Sequence, residues 1–249
     1  MTSPNTAAKN PHPRGKFRLP DPPEREPDEK MTTAIHLHEP GNTHHLAQHF
    51  GNPETTLVTC ERYITMRPQR MVSGSLRRVP DLMIAFGVDS ALYRASNGYV
   101  ISEQGKPPDF VLEVASRSTG REDTGPKRRD YEALGISEYW RFDETGEFHR
   151  TRLAGDRLVD GEYQPIAIEE PADGALQGYS EVLNLHIRWE RGQLRWHDPA
   201  TGRHIATFEY ERASRIQAEA RAANAEARAD NAEARARELE EELRRLRGA

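Results

Sequence analysis

Residues 79–89 read VPDLMIAFGVD, and residues 107–143 read PPDFVLEVASRSTGREDTGPKRRDYEALGISEYWRFD. Val79 to Val88 reads as a strand, with Pro80 at its start, where a proline costs no ladder hydrogen bond. Side-chain alternation then puts Asp81, Met83 and Ala85 on one face and Leu82, Ile84 and Phe86 on the other. Phe110 to Ala115 reads as the next strand, with Asp109, Val111, Glu113 and Ala115 on one face and Phe110, Leu112 and Val114 on the other. A turn-rich segment, Ser116 to Gly125, leads into a helix that Asp123 or Thr124 can cap, Pro126 can open and Gly135 can stop. Glu138 to Phe142 is a further strand. This order of strand, strand, helix, strand predicts an α/β (α+β) fold: a mixed β-sheet core with a helix across it.

Glu113 falls in the middle of an apolar strand. A buried carboxylate without a partner is costly, so a cation, a metal or strong donors must lie beside it. Lys127, Tyr131 and Leu134 share one face of the following helix. Asp123 stands four residues before Lys127, so an ion pair of small value is the plain reading of that lysine. Two acids on neighbouring strands with a lysine close by are also the groups that metal-dependent phosphodiester hydrolysis requires.

Outward from this stretch the chain changes character. Residues 1–30 are dense in proline and mixed charge and are expected to be disordered, with Met31 as the expected translation start. His44 to Phe50 reads as a short helix. Its His45 and His49 stand one turn apart, either as metal ligands or as a polar face with Leu46 and Phe50 packed inward. Thr55 to Met66 reads as one strand, and Ser73-Gly74 as a turn. Arg67, Arg70, Arg77 and Arg78 cluster around that turn, either as a solvated face or as a grip on phosphates. Beyond Asp143 short strands are expected at 157–159, 163–168, 182–189 and 193–197, forming hairpins punctuated by Gly161, Pro171, Gly174, Gly178 and Gly192. Trp189 and Trp196 read as packing residues. From about Glu209 a seven-residue pattern of Ala, Glu and Arg, followed by Leu239, Leu243 and Leu246, predicts a long helix. That helix either self-associates as a coiled coil or stands alone in solvent. The expected organisation is a disordered extension over 1–38, a core domain over 39–208 and a helical tail over 209–249.

The 249 residues allow one substantial domain plus extensions, and a mean hydropathy of −0.86 leaves part of the chain outside any core. No apolar run reaches the roughly 20 residues of a membrane span, so a soluble, cytoplasmic protein with no membrane partner is expected. Cys60 is the single cysteine, so an internal disulfide is excluded, and it reads as a small core residue. With a net charge of −5, any nucleic-acid binding must come from local basic patches.

The ordered set Pro80-Asp81, PDFVLEVASRST (108–119), Asp123, Lys127, Tyr131 and LGISEYWRFD (134–143) resembles the Uma-two family of restriction endonucleases, a branch of the PD-(D/E)XK nuclease superfamily. The resemblance runs more loosely from about His44 to Thr207, and members commonly end in similar helical tails. It implies a restriction-endonuclease-like fold and a metal-dependent endonuclease acting on DNA. Asp81 and Glu113 would hold Mg²⁺ (or Mn²⁺), and Lys127 would assist the attacking water. The superfamily's basic pattern sets a lysine two residues after the strand acid, where this chain has Ala115, so the resemblance implies a lysine migrated to the helix. The glutamate hairpin that many members carry upstream has no clear match, leaving His45 or Glu61 as stand-ins. Tyr131 would buttress the lysine or serve packing, and Asp109 is a candidate additional ligand. Arg117, Arg121, Arg128 and Arg129 would hold the nucleic-acid backbone. A non-catalytic scaffold that kept the nuclease fold and oligomerises through the tail is the competing reading.

Overall fold

The structure, a computed structural model, describes residues 17–24, 32–68, 76–205 and 207–247. Met31, Arg70, the Ser73-Gly74 turn and most of the proline-rich segment lie outside the described residues. The chain passes through α1 (Ala34–His38, a π-helical turn), α2 (Asn42–Phe50), β1 (Thr56–Thr59), β2 (Ile64–Thr65), β3 (Arg77–Arg78) and β4 (Leu82–Phe86). It continues through α3 (Ser90–Ser96), β5 (Tyr99–Val100), α4 (Ile101–Gln104), β6 (Phe110–Val114), α5 (Gly120–Thr124), α6 (Pro126–Leu134) and β7 (Glu138–Phe142). Hairpin strands follow: β8 (Leu153–Val159), β9 (Glu162–Pro165), β10 (Ile168–Glu169), β11 (Leu176–Ser180), β12 (Leu185–Glu190), β13 (Gln193–Asp198) and β14 (Arg203–His204).

The main sheet has six strands in the order β1-β4-β6-β7-β8-β9. Only β6 and β7 run parallel within it. A parallel pair needs a crossover, and α5 and α6 supply it. Alternation divides the sheet's two faces as the sequence predicts. Leu82, Ile84, Phe110, Leu112 and Val114 join Trp140 and Phe142 in a core shared with Ile187 and Trp196 of a second, five-stranded sheet. On the other face Met83, Ala85, Val111 and Tyr139 lie under Tyr131 and Leu134 of α6. Asp81 and Glu113 belong to this helix-covered face.

Three expectations are corrected. Thr55 to Met66 is not one strand: Glu61 takes a left-handed φ of 52°, which turns the chain out of the main sheet. β2 then joins β3 and β5 in a separate three-stranded sheet. Within the segment 1–38, expected to be disordered, the described residues Leu19 and Leu37 are buried, and the Leu19 N–H donates to Ser96 O at 2.9 Å. Gly178 is not a break but the middle of β11, where a Cβ would lie 2.7 Å from Trp140 Cη2. Gly155, inside β8, is equally tight, with a Cβ 2.9 Å from the same ring. These glycines sit in strands because the Trp140 indole fills the space a side chain would need.

A separate unit, residues 206–249, carries α7 (Phe208–Arg247). At 40 residues it extends about 60 Å. Ile216, Leu239, Leu243 and Leu246 are exposed on it.

Adding a methyl group at Gly178 must displace the indole or the backbone. Gly178→Ala is expected to lower unfolding free energy by about 1–3 kcal/mol in urea titration. An unchanged midpoint would contradict the close approach.

Candidate active site

The β4–β6 ladder pairs Leu82 with Leu112, and one more step in that antiparallel register sets Asp81 opposite Glu113. Both carboxylates are about 1 % exposed. Asp81 Oδ2 accepts the Val114 N–H at 2.6 Å, which fixes one oxygen against the neighbouring strand. Glu113 is held from the helix side. Tyr131 donates its hydroxyl to Oε1 at 2.6 Å, and the Lys127 ammonium lies 3.0 Å from Oε2.

Lys127 reaches Glu113 because α6 starts within a dozen residues of the strand's end and runs back across it. Pro126 occupies the first turn, and Gly135, at φ 77°, terminates the helix. The lysine also lies 2.7 Å from Asp123 Oδ1. Asp123 does not cap α6 but is buried within α5, with its other oxygen 2.9 Å from His149 Nε2. His149 is brought there by a tight loop. Both Asp143 oxygens accept backbone N–H groups, including those of Phe148 and His149 at 2.8 Å. The ion pair between Lys127 and Asp123 that the spacing predicts therefore exists, but buried and shared with Glu113.

Burial pushes the Glu113 carboxyl up, to about 8; Lys127 opposes the rise and the charges of Asp81 and Asp123 add to it. Burial also acts against charge on Asp123, yet the His149 hydrogen bond and Lys127 hold its carboxyl below the ordinary value. Lys127 loses to burial as well, but Glu113, Asp123 and Asp81 keep the ammonium protonated far above its usual range. Three carboxyl groups thus share one ammonium. Near neutral pH the balance is met by an ionised Asp123, a charged lysine and a Glu113 that readily keeps its proton.

The other candidates fall elsewhere. Ala115, at the superfamily's usual lysine position, is buried and donates its N–H to Phe142 O at 2.8 Å. Asp109 is at the far end of β6, tied to Lys106 at 2.7 Å and to the Phe86 N–H at 2.8 Å. Arg117 and Arg121 are exposed in the loop and helix after β6. Arg128 is committed instead to Asp156 at 3.0 Å and Tyr163 O at 2.8 Å, stacked over the Tyr163 ring. Its guanidinium is thus spent on the β8–β9 hairpin, unlike the exposed Arg117 and Arg121. Arg78 pairs with Asp130. His45 is buried against Pro40 O at 3.0 Å while His49 is exposed, and Leu46 packs inward, so this helix follows the packing alternative. Glu61 lines the same cleft as Lys127, a space of about 700 Å³. Asp123 and His149 are what the sequence reading missed. The spacing of Asp123 to Lys127 was a usable signal, whereas nothing in the local pattern marked His149.

Among the described residues no three His, Cys, Asp or Glu side chains are arranged as a complete metal cage. The donor set still fits a hard divalent ion, since Mg²⁺ is commonly bound by one or two carboxylates while keeping waters and substrate phosphates in its remaining positions. Asp81 and Glu113 are two such oxygen donors, with an excess of negative charge around them.

Two strand acids and a helix lysine thus come together where the helix crosses the mixed sheet. The family model described as "Uma2: Putative restriction endonuclease" matches residues 38–188. The chain belongs to that family. No curated protein matches it. Among solved structures it is similar to a crystal structure described as a putative nuclease belonging to DUF820, from Anabaena variabilis ATCC 29413. Identity is 13% and the TM-score 0.38, over 60% of this chain and 72% of that one. No described helix is long and apolar enough to cross a membrane.

Because folding raises the Glu113 pKa above its unfolded value, the group's contribution to stability is fully present below about pH 4.5 and is lost as pH rises through about 8. Glu113→Gln should therefore flatten the pH dependence of unfolding between those limits, by roughly a few kcal/mol in chemical denaturation. Parallel curves for the two proteins would contradict this electrostatic account.

Proposed function

We propose that the protein is a metal-dependent endonuclease that hydrolyses phosphodiester bonds of DNA, with Mg²⁺ or Mn²⁺ held by Asp81 and Glu113. The observation that carries this reading is the approach of Lys127, which lines a cleft of about 700 Å³, to Glu113 on the strand beside Asp81. The bound ion would lower the pKa of a water and neutralise charge building on the phosphate. Asp81 and Glu113 supply the hard oxygen donors, one pinned by the Val114 N–H and the other by Tyr131. The carboxylates around Lys127 keep it cationic, which favours a role in orienting water and stabilising phosphate charge over a role as base. Asp123, anchored by His149, positions the ammonium. Arg117, Arg121 and Arg129 are exposed cations in the segments after β6, available to phosphates. Activity belongs in the cytoplasm, where DNA and Mg²⁺ are available.

The test is plasmid nicking with Mg²⁺ or Mn²⁺ by the wild type, Asp81→Ala and Glu113→Ala. Each substitution is expected to slow nicking by at least about a hundredfold. Equal rates in all three would end the catalytic reading and leave the non-catalytic scaffold.

The partner proposed for α7 is a second copy of the chain. Ile216, Leu239, Leu243 and Leu246 are more than half exposed on it, which a seam with another helix would cover. Sedimentation at micromolar concentration should give a dimer or larger assembly, and a monomer would contradict self-association.

A further inference from the structure

The segment Phe17–Glu24 takes no part in the acid–lysine cluster, yet its residues 21–24 line the same cleft as Lys127. Asp21, Glu24, Glu61, Arg62 and Lys127 all line that space of about 700 Å³. A volume of this order suits a small molecule. A DNA duplex, whose major groove alone is about 12 Å wide, needs a wider opening.

The segment is firmly seated at one point and loosely tied at another. Leu19 is buried, in a small cluster with Tyr63 and Val100. A Cβ on Gly98 would lie 2.6 Å from Leu19 Cδ1, so the glycine makes the seat. Two residues on, the Asp21 carboxylate accepts from Arg62 Nη1 and from Asn97 Nδ2, each at 3.0 Å. Asn97 is itself fixed as the left-handed cap of α3, at φ 54°, and also donates to Leu19 O at 3.1 Å. The Asp21 side chain remains 81% exposed, and an ion pair of this kind is weak and screened by salt. Arg62 lines the cleft that also holds the cationic Lys127, and Asn97 converges with it on the same Asp21 oxygen; a guanidinium and an amide so placed are the donors a backbone phosphate takes.

We infer that Arg62 and Asn97 form a phosphate subsite of the substrate cleft, and that Asp21 occupies it in the resting protein as a built-in competitor. The inference rests on the reading of the cleft as a nuclease site. Nucleic acid then enters by displacing an acidic strap whose seat is Leu19, so that release of the strap also frees the Leu19 N–H from Ser96 O. The strap lowers affinity by the fraction of time it is closed: closure for nine-tenths of the time weakens binding about tenfold.

The test uses the full chain carrying Glu113→Gln and a short labelled DNA duplex, with fluorescence anisotropy read across a salt series. Amide exchange at Leu19 reports strap seating independently of binding. Asp21→Ala is expected to speed Leu19 exchange and tighten binding several-fold, up to about tenfold. Leu19→Ala is the second variant, for the case in which Asp21→Ala leaves the strap seated. Added to Asp21→Ala, so that the strap is already released, Arg62→Ala should weaken binding and make the log–log salt slope shallower by about 0.9, the signature of one lost phosphate contact. Faster Leu19 exchange without tighter binding overturns the competitor role. Binding indifferent to Arg62 overturns the subsite while leaving the nuclease reading intact. No duplex binding by any variant, with the strap shown to be released, overturns the nuclease reading and the subsite with it.

Discussion

Glu113 is a carboxylate placed in the centre of a strand whose every residue is buried, and much of the domain's architecture follows from keeping it there. An isolated charge in such a position costs several kcal/mol. The protein meets part of that cost from the helix above the strand, with one hydroxyl and one ammonium on the two oxygens, and the rest by letting Glu113 keep its proton near neutral pH. The crossover between parallel strands β6 and β7 is what brings α6 over that position. Topology and electrostatics are therefore the same constraint: a sheet without the parallel pair would have no helix to deliver Lys127.

The remaining groups extend the constraint outward. Lys127 serves two acids at once, Asp123 is steadied by His149, and the loop that carries His149 is folded around Asp143. Such a network is only partly neutral, with three carboxyl groups around one ammonium. A partly neutralised buried cluster is costly for a merely structural core, and it is what a divalent ion would complete.

Much of this was legible in the sequence because it depends on short-range periodicities. Alternation along Val79–Val88 and Phe110–Ala115 put both acids on one face, and Pro126 and Gly135 bounded the helix that carries Lys127. Glu138–Phe142 was readable as a strand from its aromatic run. What escaped depends on contacts distant in sequence. Asp123 looks like a helix cap until α5 is seen to bury it. His149 gains meaning only from a loop fold set by Asp143. Leu19 and Phe17 are two apolar residues in a proline-rich segment, too few to signal packing, yet the space at Gly98 accepts Leu19. Gly178 reads as a breaker unless the position of the Trp140 ring is known.

The space between β4, β6 and α6, where Asp81, Glu113 and Lys127 come together, is proposed as a cation seat that the lysine fills only in part. Calorimetric titration of the full chain with Mn²⁺, in the absence of DNA, tests it without reference to activity. The account predicts saturable binding that Asp81→Asn and Glu113→Gln each weaken by more than about tenfold while the proteins stay folded. Binding of equal strength in all three proteins, or none in the wild type, would contradict it.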